Sequence, residues 1–280
     1  MVQANAKINL ALAVKHKRPD GYHEIESIFQ EIDFGDIIEL APAEGIHFKS
    51  DMPQLNHERE TNTCVMAARL LREEFKIPGI WINVKKNIPL GAGLGGGSSD
   101  AVAVLKGIAE LYHLDITREK LWETALKIGS DVPFFLNGKT AHVSGRGEIV
   151  KPLSMTEEYT ILLVLPGIRI STGDAYKNLK RDLTINDKKF KFIGLGIFAQ
   201  NINTWKSLYY NDFETVVFKR YPALAGIKAA LYKEGALYAA MSGSGSSVFG
   251  VFAKGAGAKI GLESFSDGFR CLYVRPVLNC

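Results

Sequence analysis

The chain is poor in cysteine, and its three, Cys64, Cys271 and Cys280, are odd in number, far apart and without a CxxC pair. That scarcity excludes a disulfide framework and a cysteine-based zinc site, and it fits a reducing, cytoplasmic setting. Membrane-length apolar runs are also lacking. The apolar stretch Ile8 to Val14 is too short to span, follows no basic region and precedes no small-residue cleavage site. Nor does one sign of charge dominate: 34 basic against 30 acidic residues leave +4, which suits an anionic small molecule and falls short of a nucleic-acid footprint. The basic runs Lys15 to Arg18 and Lys188 to Lys191 read as solvated loops.

What is present describes a packed protein. With 46% apolar and 23% charged residues over 280 positions, disorder is excluded and the chain can fill one large core or two ordinary ones. Near the start, Ala6, Ile8, Leu10, Leu12 and Val14 alternate with Asn5, Lys7 and Asn9, the period of a strand with Lys7 on the polar face. A turn at Arg18-Pro19-Asp20-Gly21 precedes strand-like segments at Glu24 to Ile32 and Asp36 to Leu40. A helix is expected over Thr63 to Phe75 and a strand over Ile80 to Lys86. Ala101, Val104, Leu105, Ile108 and Leu111 then recur at helical spacing, with Ser98 or Ser99 as the expected N-cap.

Another helix, Arg118 to Ile128, stops at Gly129, and Ser130-Asp131-Val132-Pro133 is a further start signal. Beyond the polar stretch Glu148 to Glu158, the expected domain boundary, come a strand at Tyr159 to Leu165 and helices near Asn211 to Lys219 and Leu224 to Lys233. A glycine-rich turn at Ser242 to Ser247 leads into a last strand at Val248 to Phe252. Strands and helices follow no regular βαβ order, so a two-domain α+β architecture is expected.

The chemistry concentrates in Pro89-Leu90-Gly91-Ala92-Gly93-Leu94-Gly95-Gly96-Gly97-Ser98-Ser99, five glycines in seven positions before a helix N-terminus. Unpaired N–H groups and the helix dipole attract phosphate there, and glycine lets the backbone come close to its oxygens. A flexible linker is the plain alternative, but a linker does not end in a capped amphipathic helix. Gly91, Gly93 and Gly96 also spell GxGxxG, with Asp115 near the acidic position of a dinucleotide fold. That reading fails because Asn87-Ile88-Pro89 separates the loop from a charged strand that is not buried on both faces. Gly138-Lys139-Thr140 ends like a Walker loop but has Pro133 where the first glycine belongs. Asp33-Phe34-Gly35 stands too early for the protein-kinase motif it spells.

The loop resembles the phosphate-binding motif of the galactokinase, homoserine kinase, mevalonate kinase and phosphomevalonate kinase (GHMP) superfamily. Ala6-Lys7-Ile8-Asn9-Leu10, Asp20-Gly21-Tyr22-His23, Gly129-Ser130-Asp131-Val132-Pro133-Phe134 and Met241-Ser242-Gly243-Ser244-Gly245 resemble, in this order, segments of the diphosphocytidyl-methylerythritol kinases within it. Ile170-Ser171-Thr172 through Tyr176 and Asn211-Asp212-Phe213-Glu214 fit as well. Lys177 to Ser207 match nothing, and Ser244 stands where relatives often carry Thr. The resemblance implies an N-terminal domain, 1–153, like the second domain of ribosomal protein S5, and a ferredoxin-like C-terminal domain, 154–280, with the active site in the cleft between them. It implies ATP-dependent phosphorylation, with Mg²⁺, of the 2-hydroxyl of 4-diphosphocytidyl-2-C-methyl-D-erythritol in non-mevalonate isoprenoid synthesis. The partner is then a small molecule, with no nucleic acid and no membrane, and the protein a monomer or homodimer.

Read alone, Asp131 is a helix cap or a base, and Lys7 an exposed strand lysine or a charge for catalysis. The resemblance assigns Asp131 as the base and Lys7 as the cation that stabilises charge on the transferred group. It gives Asn9 as a polar companion in the acceptor site, Pro89 to Ser99 as the ATP phosphate cradle with Ser98 or Ser99 toward Mg²⁺, and Tyr22, His23 and Tyr176 as the cytosine grip. Without it, these last three are a turn residue, a solvated histidine and a core tyrosine. The competing readings are a homoserine or mevalonate kinase, and a catalytically silent nucleotide-binding regulator. The joint presence of Lys7 and Asp131 argues against the regulator.

Overall fold

The structure, a computed structural model, describes residues 1–57, 61–155, 157–179, 201–255, 265 and 268–278. The Lys188 to Lys191 run and Cys280 lie outside them. The described chain forms two compact units, each assembled from separated segments: 1–6, 34–88 and 95–137 in the first, and 7–33, 89–94 and 138–280 in the second. Two long strands, β1 (Val2–Lys17) and β2 (His23–Pro42), contribute residues to both and pair with each other. The two segments expected around Glu24 to Leu40 are thus one strand. Residues 6 to 14 of β1 are all buried, so its alternation marks two covered faces rather than one core face and one wet face.

In the first unit the end of β2, Ile37 to Pro42, pairs antiparallel with β4 (Gly79–Lys85), and β4 pairs in parallel with β3 (Gly45–Ser50). After the short α1 (Pro53–His57), helix α2 (Thr63–Phe75) starts where Asn62 Oδ1 accepts the N–H groups of Cys64 and Val65. Helix α3 (Gly96–Leu111) packs on α2 and buries Ala101, Val104, Leu105 and Ile108 completely. These are four of the five positions picked out by helical spacing; the fifth, Leu111, is half-buried. Helix α4 (Arg118–Ile128), capped by Thr117, and α5 (Val132–Asn137), with Pro133 in its first turn, complete the unit.

In the second unit Ile25 to Gln30 of β2 pair with β5 (Thr140–Gly145), which pairs with β6 (Ile149–Pro152) inside the stretch read as polar and aperiodic. A separate antiparallel sheet runs β10 (Arg270–Val274), β7 (Tyr159–Leu165), β9 (Val248–Ala253), β8 (Tyr238–Met241). Numbered along the chain, its four strands lie in the order 4-1-3-2, that of a ferredoxin-like sheet. Helix α6 (Thr172–Asn178), a 3₁₀ turn (Ile202–Thr204), α7 (Trp205–Leu208), α8 (Glu214–Arg220) and α9 (Pro222–Lys233) lie between β7 and β8 in sequence. Leu162, Val164, Phe213, Leu224, Leu231 and Phe252 sit in its core. The α+β expectation is borne out.

Candidate active site

Lys7 projects from β1 on the side opposite Ile8, as alternation requires, yet it is only 4% exposed. Its ammonium is 2.7 Å from Asn9 Oδ1 and 4.2 Å from the centre of the Phe29 ring. A cation survives such burial when a carbonyl oxygen and an aromatic face replace part of its hydration. Asn9 Nδ2 donates to Ser27 Oγ at 3.0 Å, and the Ser27 hydroxyl donates to the Ala11 carbonyl at 2.5 Å.

The same strand grips the glycine loop. The Lys7 N–H donates to the Leu94 carbonyl at 2.9 Å. Ser242 Oγ donates to the Gly93 carbonyl at 2.8 Å and accepts the Asn9 N–H at 3.2 Å. Gly93, at φ +77°, lies so near the Ser242 carbonyl that any Cβ would overlap it. Behind the Ser242 turn, Asn211 Nδ2 donates to the carbonyls of Met241 at 2.7 Å and Gly243 at 2.8 Å, while its Oδ1 accepts the Phe213 N–H at 2.9 Å. Every polar atom of this buried side chain is occupied.

Of the three residues expected to grip a base, His23 and Tyr176 are brought together: their rings stack at 4.8 Å and 19°. Phe213 meets Tyr176 edge-on. Burial, with the Lys17 charge, holds the His23 imidazole below its ordinary pKa, so the ring is neutral at pH 7. Tyr22 is 52% exposed and faces the Arg146 guanidinium, 5.0 Å from its ring centre.

The remainder of the glycine loop opens α3 in the first unit. Contrary to the expected serine cap, the N-cap is Gly95 at φ +71°, and no side chain caps the helix. Ser98 and Ser99 lie within the first turn, where the Ser99 N–H already donates to the Gly95 carbonyl. A glycine start leaves the leading N–H groups without a competing side-chain acceptor, the arrangement an anion requires. Thr63, at the start of α2, donates to the Gly97 carbonyl at 2.6 Å. Asp131 is half-buried in the tight connection from α4 to α5; it belongs to the first unit, and Lys7 to the second.

Sequence reasoning missed a buried ion triad behind this helix start. Lys86 Nζ is bonded to Asp36 Oδ2 and lies 2.7 Å from Asp100 Oδ2. Asp36 Oδ1 accepts the N–H groups of Asn87 at 2.6 Å and Ile88 at 2.8 Å, and Asp100 Oδ1 is buried without a hydrogen-bond partner. Burial pushes the Asp100 carboxyl up to about 7, Lys86 opposes the shift and the Asp36 charge adds to it. A lysine closing a strand was visible, but no local pattern links it to an aspartate 50 positions earlier. Ser27 and Asn211 went unassigned for the same reason. Among the described residues, no group of three or more His, Cys, Asp or Glu could hold a metal ion, and no helix is long and apolar enough to cross a membrane.

Residues 62–139 match the family model for the GHMP kinases N terminal domain, and 195–270 the model for GHMP kinases C terminal. The 4-diphosphocytidyl-2-C-methyl-D-erythritol kinase of Bacteroides fragilis (strain ATCC 25285) is 42% identical over 89% of this chain and 90% of its own. The kinase of the same name from Thermodesulfovibrio yellowstonii is 39% identical over 99% and 98%. A crystal structure of 4-(cytidine 5'-diphospho)-2C-methyl-D-erythritol kinase superposes with a TM-score of 0.80 at 32% identity, covering 98% of each chain. The chain belongs to the 4-diphosphocytidyl-2-C-methyl-D-erythritol kinase family of the GHMP kinases.

Proposed function

We propose that this protein transfers the terminal phosphoryl group of ATP to the 2-hydroxyl of 4-diphosphocytidyl-2-C-methyl-D-erythritol, giving the 2-phosphate and ADP in the non-mevalonate route to isoprenoid precursors. The observation that carries the reading is Lys7, a buried cation held by Asn9 on a strand bonded directly to the glycine loop. Phosphoryl transfer asks little covalent chemistry of the protein; it needs reactants held in line and negative charge stabilised. The loop from Pro89 to Ser99 supplies backbone N–H groups for the ATP phosphates. Asp131 takes the proton of the acceptor hydroxyl, and Lys7 faces the charge that gathers on the transferred group.

Mg²⁺ neutralises phosphate charge and would arrive on ATP, since hard hydroxyl and phosphate oxygens suit it and no carboxylate cage is needed. Ser98 is the loop hydroxyl open to it, Ser99 being buried. Tyr22 offers a ring face to the cytosine, and His23, backed by Tyr176, offers its neutral edge. The same proposal places the protein in the cytoplasm as a monomer or homodimer and divides the chain into domains 1–153 and 154–280, with the two family matches falling on either side.

The test supplies ATP and Mg²⁺ with the cytidylylated methylerythritol, mevalonate or homoserine in parallel. ADP should form with the first alone, and turnover of another acceptor overturns the substrate. Asp131→Asn should fold and lose at least ~10²-fold in kcat, the share of a positioned base. Lys7→Ala should depress kcat more than ATP affinity, and a pure KM effect would move Lys7 to ground-state binding.

A further inference from the structure

The hydrogen bonds around Asn9 have only one consistent sense. Ser27 Oγ gives its single proton to the Ala11 carbonyl, so it meets Asn9 as an acceptor and must receive Nδ2. Oδ1 is thereby turned to the Lys7 ammonium, 2.7 Å away. Were the carboxamide reversed, an NH₂ group would face an ammonium and a hydrogen bond to a charged donor would become a repulsion. Ser27 is fully buried, at 0% exposure, so no solvent competes for its oxygen. The backbone N–H of Asn9 is fixed independently, by Ser242 Oγ.

We infer that Ser27 is a positioning residue for phosphoryl transfer: through the Asn9 carboxamide it fixes where the Lys7 ammonium stands, without touching nucleotide or acceptor. The inference rests on the catalytic reading of Lys7. Removing the hydroxyl leaves the carboxamide with Lys7 and a long 3.5 Å contact from Ser242 Oγ, which hold its Oδ1 but no longer its Nδ2, so the ammonium can shift while the glycine loop keeps its bonds to Lys7 N–H and Ser242. The loss therefore falls on kcat and spares substrate binding.

Ser27→Ala should retain the wild-type thermal unfolding midpoint within a few degrees, keep both KM values within about 3-fold and lower kcat about 10-fold, or ~1.4 kcal/mol. In an Asn9→Ala background the same change should have no further effect, because the carboxamide that links Ser27 to Lys7 is gone. Ser27→Cys, close in shape but a poor acceptor, carries the same test if the alanine variant does not fold. An unchanged kcat in a folded variant, or an equal loss with and without Asn9, overturns the role of Ser27. If instead Lys7→Ala keeps full turnover, the catalytic reading of Lys7 falls and Ser27 with it; the two failures are read from separate variants in one assay.

Discussion

Lys86 sets its ammonium 2.7 Å from the Asp100 carboxylate, with side-chain exposures of 2% and 4%. A buried pair of this kind gives little net stability over apolar neighbours, but removing one partner strands the other's charge. Above about pH 7, where Asp100 is ionised, two carboxylates depend on one cation. Lys86→Met should therefore lower the unfolding free energy by about 3 to 5 kcal/mol, read from urea midpoints at constant m. A change below ~1 kcal/mol would mean that water replaces the ammonium at little cost.

The raised pKa of Asp100 has a definite sign for stability. Between its ordinary 3.8 and about 7, the folded state holds a proton that the unfolded state has released. This contribution is complete below 3.8 and is lost as pH rises through about 7. His23, held below 6.5, acts the other way, its contribution being present above 6.5 and lost as pH falls. The difference between wild type and Asp100→Asn isolates the first effect: the variant should gain on the wild type from about pH 4 to pH 7 and then run parallel. A flat difference across that range would assign the acid to another site.

The start of α3 is tight at Gly96 and strained for a side chain at Gly95. A Cβ on Gly96 would stand 3.0 Å from Ile88 Cγ2 and 3.3 Å from Lys86 Nζ, and Gly95 sits at positive φ. Gly95→Val or Gly96→Val should abolish ATP binding in variants whose circular dichroism remains native. Wild-type ATP affinity in such a folded variant would remove the phosphate cradle from this loop.

Tyr22 is 52% exposed, with the Arg146 guanidinium 5.0 Å from its ring centre, and it is the residue proposed to stack on the base. Tyr22→Ala should raise KM for the cytidylylated acceptor roughly 5- to 100-fold, equivalent to about 1 to 3 kcal/mol of lost stacking. KM for ATP should stay nearly unchanged. A rise in the ATP value alone would put the cytidine on the wrong residues.

Local pattern carried much of this molecule. Helices Thr63–Phe75 and Arg118–Ile128 have the bounds expected from periodicity and stop signals, because Asn62, Thr117 and Gly129 act within one turn. The α3 cap was misread because serine is the usual cap, whereas a glycine at positive φ can turn the chain without one. The burial of Lys7 was invisible because alternation reports which face a residue takes, not what later covers it. That cover includes Phe29, and the supporting bonds to Asn9 come from Ser27 and Ser242, up to 233 positions away. Pairings at such separation leave no trace in a window of a dozen residues.

Leu12 of β1 donates to Tyr210 and accepts from Asp212, whose carboxylate also receives the Val14 N–H. The strand bearing Lys7 and Asn9 is thus bonded to chain made some 200 residues later, and Ser242 follows later still. During synthesis, Lys7 emerges long before the chain that holds its strand in place. Loop closure over that distance is slow, and a nascent chain that already contains Lys7, the glycine loop and Asp131 has yet to acquire Asn211 and Ser242. A truncated product ending before residue 211 should therefore be inert although it carries Lys7, the glycine loop and Asp131.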